Sequence, residues 1–149
     1  MHPRTAILRR PAVLLVALLM LLSLVACGPA ATPATLGDIP AYPDAKALQP
    51  GENPMADTLA QNVQMAGQMG QKLDQKIFTL PKDASWDQVK GFYSEKLSGS
   101  GWSSTSIPIP DNEMTQTSLW TRGTQSLTVM RITEPINKDT FLLFSLASQ

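Results

Sequence analysis

The sequence predicts an α+β domain, an antiparallel sheet of about four to six strands with one main helix packed across it. Three observations lead there. Ser85, with Gln88 three residues on, opens an apolar stripe of helical period. Three β-rich runs in the C-terminal third are separated by turn-forming residues. The last of them, TFLLFSLA, is apolar on both alternating sets, as a central strand covered on both faces requires.

In chain order, Ile39-Pro40-Ala41-Tyr42-Pro43 opens the fold. Its two prolines favour an extended segment at a sheet edge. Residues 53–75 then read as a helix with Asn53 as N-cap and Pro54 in the first position. Met55, Leu59, Asn62, Ala66, Met69 or Gly70, and Leu73 recur on one side, and the core of the pattern runs from about 54 to 73. Gly67 and Gly70 each weaken it by roughly 1 kcal/mol relative to alanine. Lys76 to Leu80 is a short strand ended by Pro81.

The main helix covers about 85–98: Trp86, Val89, Phe92, Tyr93 and Leu97 share a stripe, and Gly99 and Gly101 stop it. Strands follow at Trp102–Ile107, Thr117–Thr121, Gln125–Thr133 and Thr140–Ala147. Arg122-Gly123-Thr124 makes a tight hairpin and Pro135 to Asp139 a longer one, so the last three strands form a meander.

The N-terminus is of another kind. Arg4, Arg9 and Arg10 precede an apolar run at 12–26 broken only by Ser23, the layout of a secretory leader. Fifteen residues at 1.5 Å each span only about 22 Å, short of a bilayer's hydrocarbon layer. The run closes on Leu24-Val25-Ala26-Cys27, which resembles the lipobox of bacterial lipoproteins at all four positions. That resemblance implies a diacylglyceryl group on the Cys27 thiol, cleavage between Ala26 and Cys27, and acylation of the new amino group. A membrane anchor through Cys27 is therefore expected, since each buried methylene adds about 0.8 kcal/mol of membrane affinity.

The resulting organisation is a removed leader at 1–26, a tether at 27–38 and a single domain at 39–149. The tether, with Pro29, Pro33 and small residues, lacks the apolar bulk to bury a core and keeps the domain within roughly 35 Å of the bilayer. Tyr42-Pro43 with Ala45, Phe92-Tyr93 through Leu97 to Gly101-Trp102, Trp120-Thr121-Arg122-Gly123 and Leu127-Thr128-Val129 together resemble small bacterial envelope lipoproteins. This resemblance implies a sheet with one helix folded across it, and it brings no activity.

Composition narrows the chemistry. Beyond residue 26 nine Lys or Arg face twelve Asp or Glu, a net charge of −3 with no basic cluster, so no nucleic-acid partner is expected. The one histidine, His2, lies in the leader and the one cysteine is Cys27. Histidine triads, thiol proteases and histidine or thiolate zinc sites lack their side chains. The expectation is therefore no enzyme, no metal and no cofactor.

Other signals have plainer readings. Thioethers bind Cu(I), but Met55, Met65, Met69, Met114 and Met130 have no histidine or thiol beside them and read as core gap-fillers. Trp86, Trp102 and Trp120 suit a sugar platform, yet each falls where burial is expected. Asp111 and Glu113, the one close acid pair suited to glycosidase chemistry, flank a polar loop. Ser98-Gly99-Ser100-Gly101 follows a helix and lacks a phosphate-loop pattern.

The expected role is an extracytoplasmic lipoprotein, on the outer face of the plasma membrane or in the outer membrane of a two-membrane cell. It binds or scaffolds an envelope protein partner through a surface carrying Met55, Leu59, Met65 and Met69. The alternative is a glycan or small-ligand binder, or a carboxylate hydrolase, with Asp111 or Glu113 in a pocket.

Overall fold

The computed structural model describes residues 32–67, 72–107 and 111–148. The chain divides into two units, Met1–Thr32 and Pro33–Gln149, and the second carries the fold. Leu24, Val25, Ala26, Cys27 and Met69 lie outside the described residues.

The elements are β1 (Lys46–Ala47), α1 (Pro54–Gly67), β2 (Lys72–Thr79), α2 (Trp86–Ser98), β3 (Ser103–Thr105), β4 (Thr115–Arg122), β5 (Gln125–Thr133) and β6 (Thr140–Ser148). They build an α+β fold around one six-stranded sheet in the order β1-β2-β6-β5-β4-β3. Every neighbouring pair is antiparallel.

β6 lies between β2 and β5 and is buried from Thr140 to Leu146. Its even-numbered residues Leu142, Phe144 and Leu146 join one apolar cluster, and Phe141 and Leu143 join another. The period of two along a strand divides them between the two faces of the sheet. A continuous apolar run is the sequence form of that double burial.

α2 covers the first face. Ser85 caps it by accepting from the Gln88 backbone N–H at 3.2 Å, while the Gln88 side chain accepts from the Ser85 N–H at 2.8 Å. At the other end Gly101 takes a positive φ of 80°, and the Trp102 N–H donates to the Leu97 carbonyl at 3.1 Å. Trp86, Val89, Tyr93 and Leu97 are buried against Trp102, Trp120, Leu127, Val129 and Phe144. Edge-to-face contacts link Tyr42, Phe92, Tyr93, Phe144 and Phe78 in one series, with centroids 4.9 to 5.4 Å apart.

The segment before β1 lies over the same face. Ala34 and Ile39 are buried, and Leu36 and Tyr42 pack beside them. Gln125 clasps the segment: its Oε1 accepts from the Ala34 N–H at 2.7 Å, and its Nε2 donates to the Ala34 carbonyl at 2.8 Å. The Tyr93 hydroxyl donates to the Pro40 carbonyl at 3.1 Å. Among the described residues packing begins at Ala34, inside the stretch that composition assigns to the tether. Ala34 and Leu36 suffice there once a buried amide pairs the backbone.

Ile39 to Pro43 forms no strand, a second departure from expectation. Pro40 and Pro43 lack N–H donors, and a turn closed by Ala45 N–H to Tyr42 carbonyl at 3.0 Å, with Asp44 at φ 59°, redirects the chain. Pairing starts only at Lys46.

α1 covers part of the second face. Asn53 Oδ1 accepts from the Met55 and Ala56 N–H groups at 2.9 and 3.0 Å, and Ala56 packs with Ile77, Ile132, Phe141 and Leu143. The helix stops at Gly67, short of the 73–75 reach that its periodicity predicted. Leu73, Asp74 and Gln75 instead pair with Ala147, Leu146 and Ser145 in β2. From 72 to 76 only Leu73 is apolar, so composition does not choose between helix and strand, and pairing with the buried β6 decides it.

Candidate functional site

The residues marked by sequence do not converge. Met55 and Leu59 turn inward and pack against the α1-side cluster, whereas Met65 stands 64% exposed, so among the described residues these three do not share one apolar surface. Met114 is also exposed and Met130 is partly buried, so gap-filling describes only some of the methionines. Trp86, Trp102 and Trp120 are all buried, which leaves no sugar platform from these three rings. Among the described residues no three His, Cys, Asp or Glu side chains gather as metal ligands. No described helix is long and apolar enough to cross a membrane.

Asp111 and Glu113 sit on an exposed loop. Asp111 has a structural task, accepting from Trp86 Nε1 at 3.1 Å and from the Thr117 N–H at 2.9 Å. It fixes the start of α2 to the start of β4.

Among the described residues two buried donors have no partner, Trp120 Nε1 and Arg131 Nε. Arg131 Nη1 donates to Gln116 Oε1 at 2.8 Å, and burial pushes its guanidinium below the ordinary value.

A cavity of about 370 Å³ lies elsewhere, between the outer edge of the sheet and α1. Its lining includes Leu48 and Pro50 from the segment after β1, Ala56, Asp57 and Ala60 from α1, and Gln75 to Ile77 from β2. Volume alone puts it within the roughly 300–1,000 Å³ of ligand sites.

Local chemistry shapes its walls. β1 is only two residues long because Pro50 and a turn at Gly51, with φ 90°, take the chain away from the sheet. Glu52 accepts from the Gln49 N–H at 2.7 Å, and both Asp57 carboxylate oxygens accept from the Gly51 N–H at 3.2 and 3.0 Å. These bonds hold the loop open against the helix. Alanine at 56 and 60 leaves the helix wall low.

The floor of the cavity is backbone. The last bond between β2 and the preceding segment runs from the Leu48 N–H to the Ile77 carbonyl at 2.9 Å. Since donor and acceptor of one antiparallel residue face the same neighbour, the N–H and C=O of Gln75 and Leu73 point out of the same edge. Neither has a backbone partner on that side among the described residues. Side chains alternate along it: Lys72, Asp74 and Lys76 are exposed, and Leu73 and Gln75 half-buried. With its amide turned, the Gln75 side chain bonds the Ala60 carbonyl at 3.1 Å and the Gln64 N–H at 3.2 Å, fastening α1 to β2.

Sequence reasoning missed this site. Its one local signal was Pro50 soon after a short β-compatible stretch, which says where β1 ends but not what strand it leaves uncovered. Among family models, curated proteins and solved structures, none matches this chain.

Proposed function

We propose that this chain is a lipoprotein of the bacterial envelope, anchored through lipid on Cys27, whose domain binds or scaffolds another envelope component without catalysing a reaction. The observation that carries the anchor is Leu24-Val25-Ala26-Cys27 at the end of an apolar leader. The observation that favours binding over catalysis is the edge of β2, where the open groups are backbone amides and carbonyls rather than a set of acids or nucleophiles.

The core residue Ala34 follows Cys27 by seven residues, so the chain between them reaches at most about 25 Å. That is tighter than the roughly 35 Å reach of an eleven-residue tether. The domain then works against the membrane surface, on the outer face of the plasma membrane or on an outer membrane where there is one. The hydrolase alternative loses its motive, since Asp111 is engaged by Trp86 and Thr117 on an exposed loop.

Intact-mass measurement of protein extracted from membranes tests the anchor. Loss of residues 1–26 with a diacylglyceryl adduct on Cys27 is the expected result. A bare Cys27 thiol, or a retained leader, overturns it. Crosslinking in intact envelopes tests the binding role, which fails if no crosslinked species forms through the domain.

A further inference from the structure

The geometry points to the β2 edge as a receptor for an extended segment of another polypeptide, which continues β1 as a surrogate strand opposite Lys76 to Lys72. This deepens the binding-module reading and rests on it, and it is independent of the lipid anchor.

Three observations meet at one place. The ladder stops at the Leu48 to Ile77 bond, and the next outward groups of β2, at Gln75 and Leu73, lack backbone partners on that side among the described residues. The cavity of about 370 Å³ opens where β1 would have continued, between Leu48, Gln75 and the alanines of α1. The edge also carries an alternating code of charge, with Lys72, Asp74 and Lys76 exposed and Lys72 and Asp74 joined by a surface ion pair at 3.4 Å that a strand of complementary charge would exchange for its own. Strand addition takes its affinity from main-chain bonds and its specificity from alternate side chains.

The charge code identifies the occupant. A strand running on in the direction of β1 meets Lys76, Gln75, Asp74, Leu73 and Lys72 in turn, as the β1–β2 register dictates. Opposite charges placed directly across a ladder attract, so the favoured order is acidic, apolar, basic, apolar, acidic. The apolar residue opposite Gln75 points to the α1 side, where Ala56 and Ala60 leave room for a side chain of about the size of Val.

A second copy of this chain is the wrong occupant. In the fully overlapping antiparallel register, the edge would set Asp74 against Asp74 and Lys72 against Lys76. Like charges directly opposite destabilise the pair, the device by which edges refuse their own kind. The same charges welcome a strand of complementary pattern.

The test uses the full chain in detergent micelles and a peptide with Glu-Val-Lys-Val-Glu at its centre. Backbone hydrogen exchange is followed residue by residue. Strand addition slows the Gln75 and Leu73 amides by about tenfold or more at saturating peptide. A peptide with every charge reversed binds roughly fivefold or more weakly to the natural chain, and Lys76→Glu shifts the preference toward a peptide whose first acid is replaced by lysine. Ala60→Phe, which fills the cavity, abolishes binding.

Lys76 is exposed, so K76E keeps the test informative even if the bulkier ring introduced by Ala60→Phe prevents folding. Unchanged exchange at Gln75 and Leu73, or binding indifferent to charge reversal, overturns the proposal. So does slowing of those amides with protein concentration alone, which would assign the edge to a second copy. If the peptide fails while crosslinking captures a partner on another surface, the β2 receptor falls and the binding module stands. If both fail, both readings fall.

Discussion

The two helices pack against opposite faces of one sheet, yet they are held there differently. α2 buries Trp86, Val89, Tyr93 and Leu97 in the aromatic core, whereas among the described side chains of α1 only Ala56 is buried and Met55, Leu59 and Val63 are half-covered. Core stability thus concentrates on the α2 face. The α1 face keeps a cavity beside it and fastens its helix with a side-chain amide, so the less tightly packed face is the one free to accommodate a ligand.

Truncation sharpens that contrast most strongly. Leu97→Ala on α2 is expected to cost ~2–5 kcal/mol of unfolding free energy, because Leu97 is 1% exposed and the surrounding rings cannot close the gap. Leu59→Ala on α1 is expected to cost about 1 kcal/mol, since a half-covered side chain loses fewer contacts. Paired urea titrations decide, and equal losses would break the distinction between the faces.

Next in size is Tyr93→Phe, which strands the Pro40 carbonyl and is expected to cost about 1 kcal/mol at neutral pH. Burial pushes the Tyr93 phenol above its ordinary value. A raised folded-state value means that its stabilisation is complete below the unfolded value of about 10 and is lost as pH rises past it. Thermal melts from pH 8 to 11 should therefore show the natural chain losing stability above pH 10 more steeply than the variant.

The caps come third. Ser85→Ala removes half of a reciprocal pair and should cost ~1 kcal/mol of global stability. Asn53→Ala removes a comparable bond from α1, and its effect should appear as faster local exchange of α1 amides with little change in the global midpoint. A global loss from the Asn53 change as large as that from Ser85 would show α1 to be as integral as α2.

The smallest expected effect is at Asp38. Bonds from the Thr35 backbone N–H and hydroxyl, at 2.8 and 2.9 Å, hold its carboxyl below the ordinary range. Its contribution is present above an unfolded value of roughly 3.9 and disappears as pH falls through the lower folded value. Asp38→Asn should lower the melting temperature slightly at pH 7, flatten a shallow acid slope below pH 4, and bring the two chains together at the acid end.

Much of the tightly packed face was legible in advance. The Ser85 capping box, the stripe ending at Leu97 and the Arg122 to Thr124 turn are local signals, and local signals survive folding when the packing agrees with them. The α1 face was less legible because its outcome is not local. Leu73 falls on the helical stripe of the preceding residues, and only pairing with the neighbouring β6 makes it and Gln75 a strand. Ala34 and Leu36 look like linker until Gln125, far along the chain, pairs the Ala34 backbone. The β2 edge was invisible for the same reason, since an unpaired amide is defined by the partner that stops short of it.

Gln125 holds one further consequence. Besides clasping Ala34, its Nε2 donates to Ser148 Oγ at 3.1 Å, so one amide bonds both the Ala34 backbone and the end of β6. Ala34 and Ser148 therefore lie side by side. A reporter joined after Ser148 would emerge next to the incoming chain, and a short linker spanning the two would permit a circular permutant opened at the Gly123 turn, with every strand pairing kept.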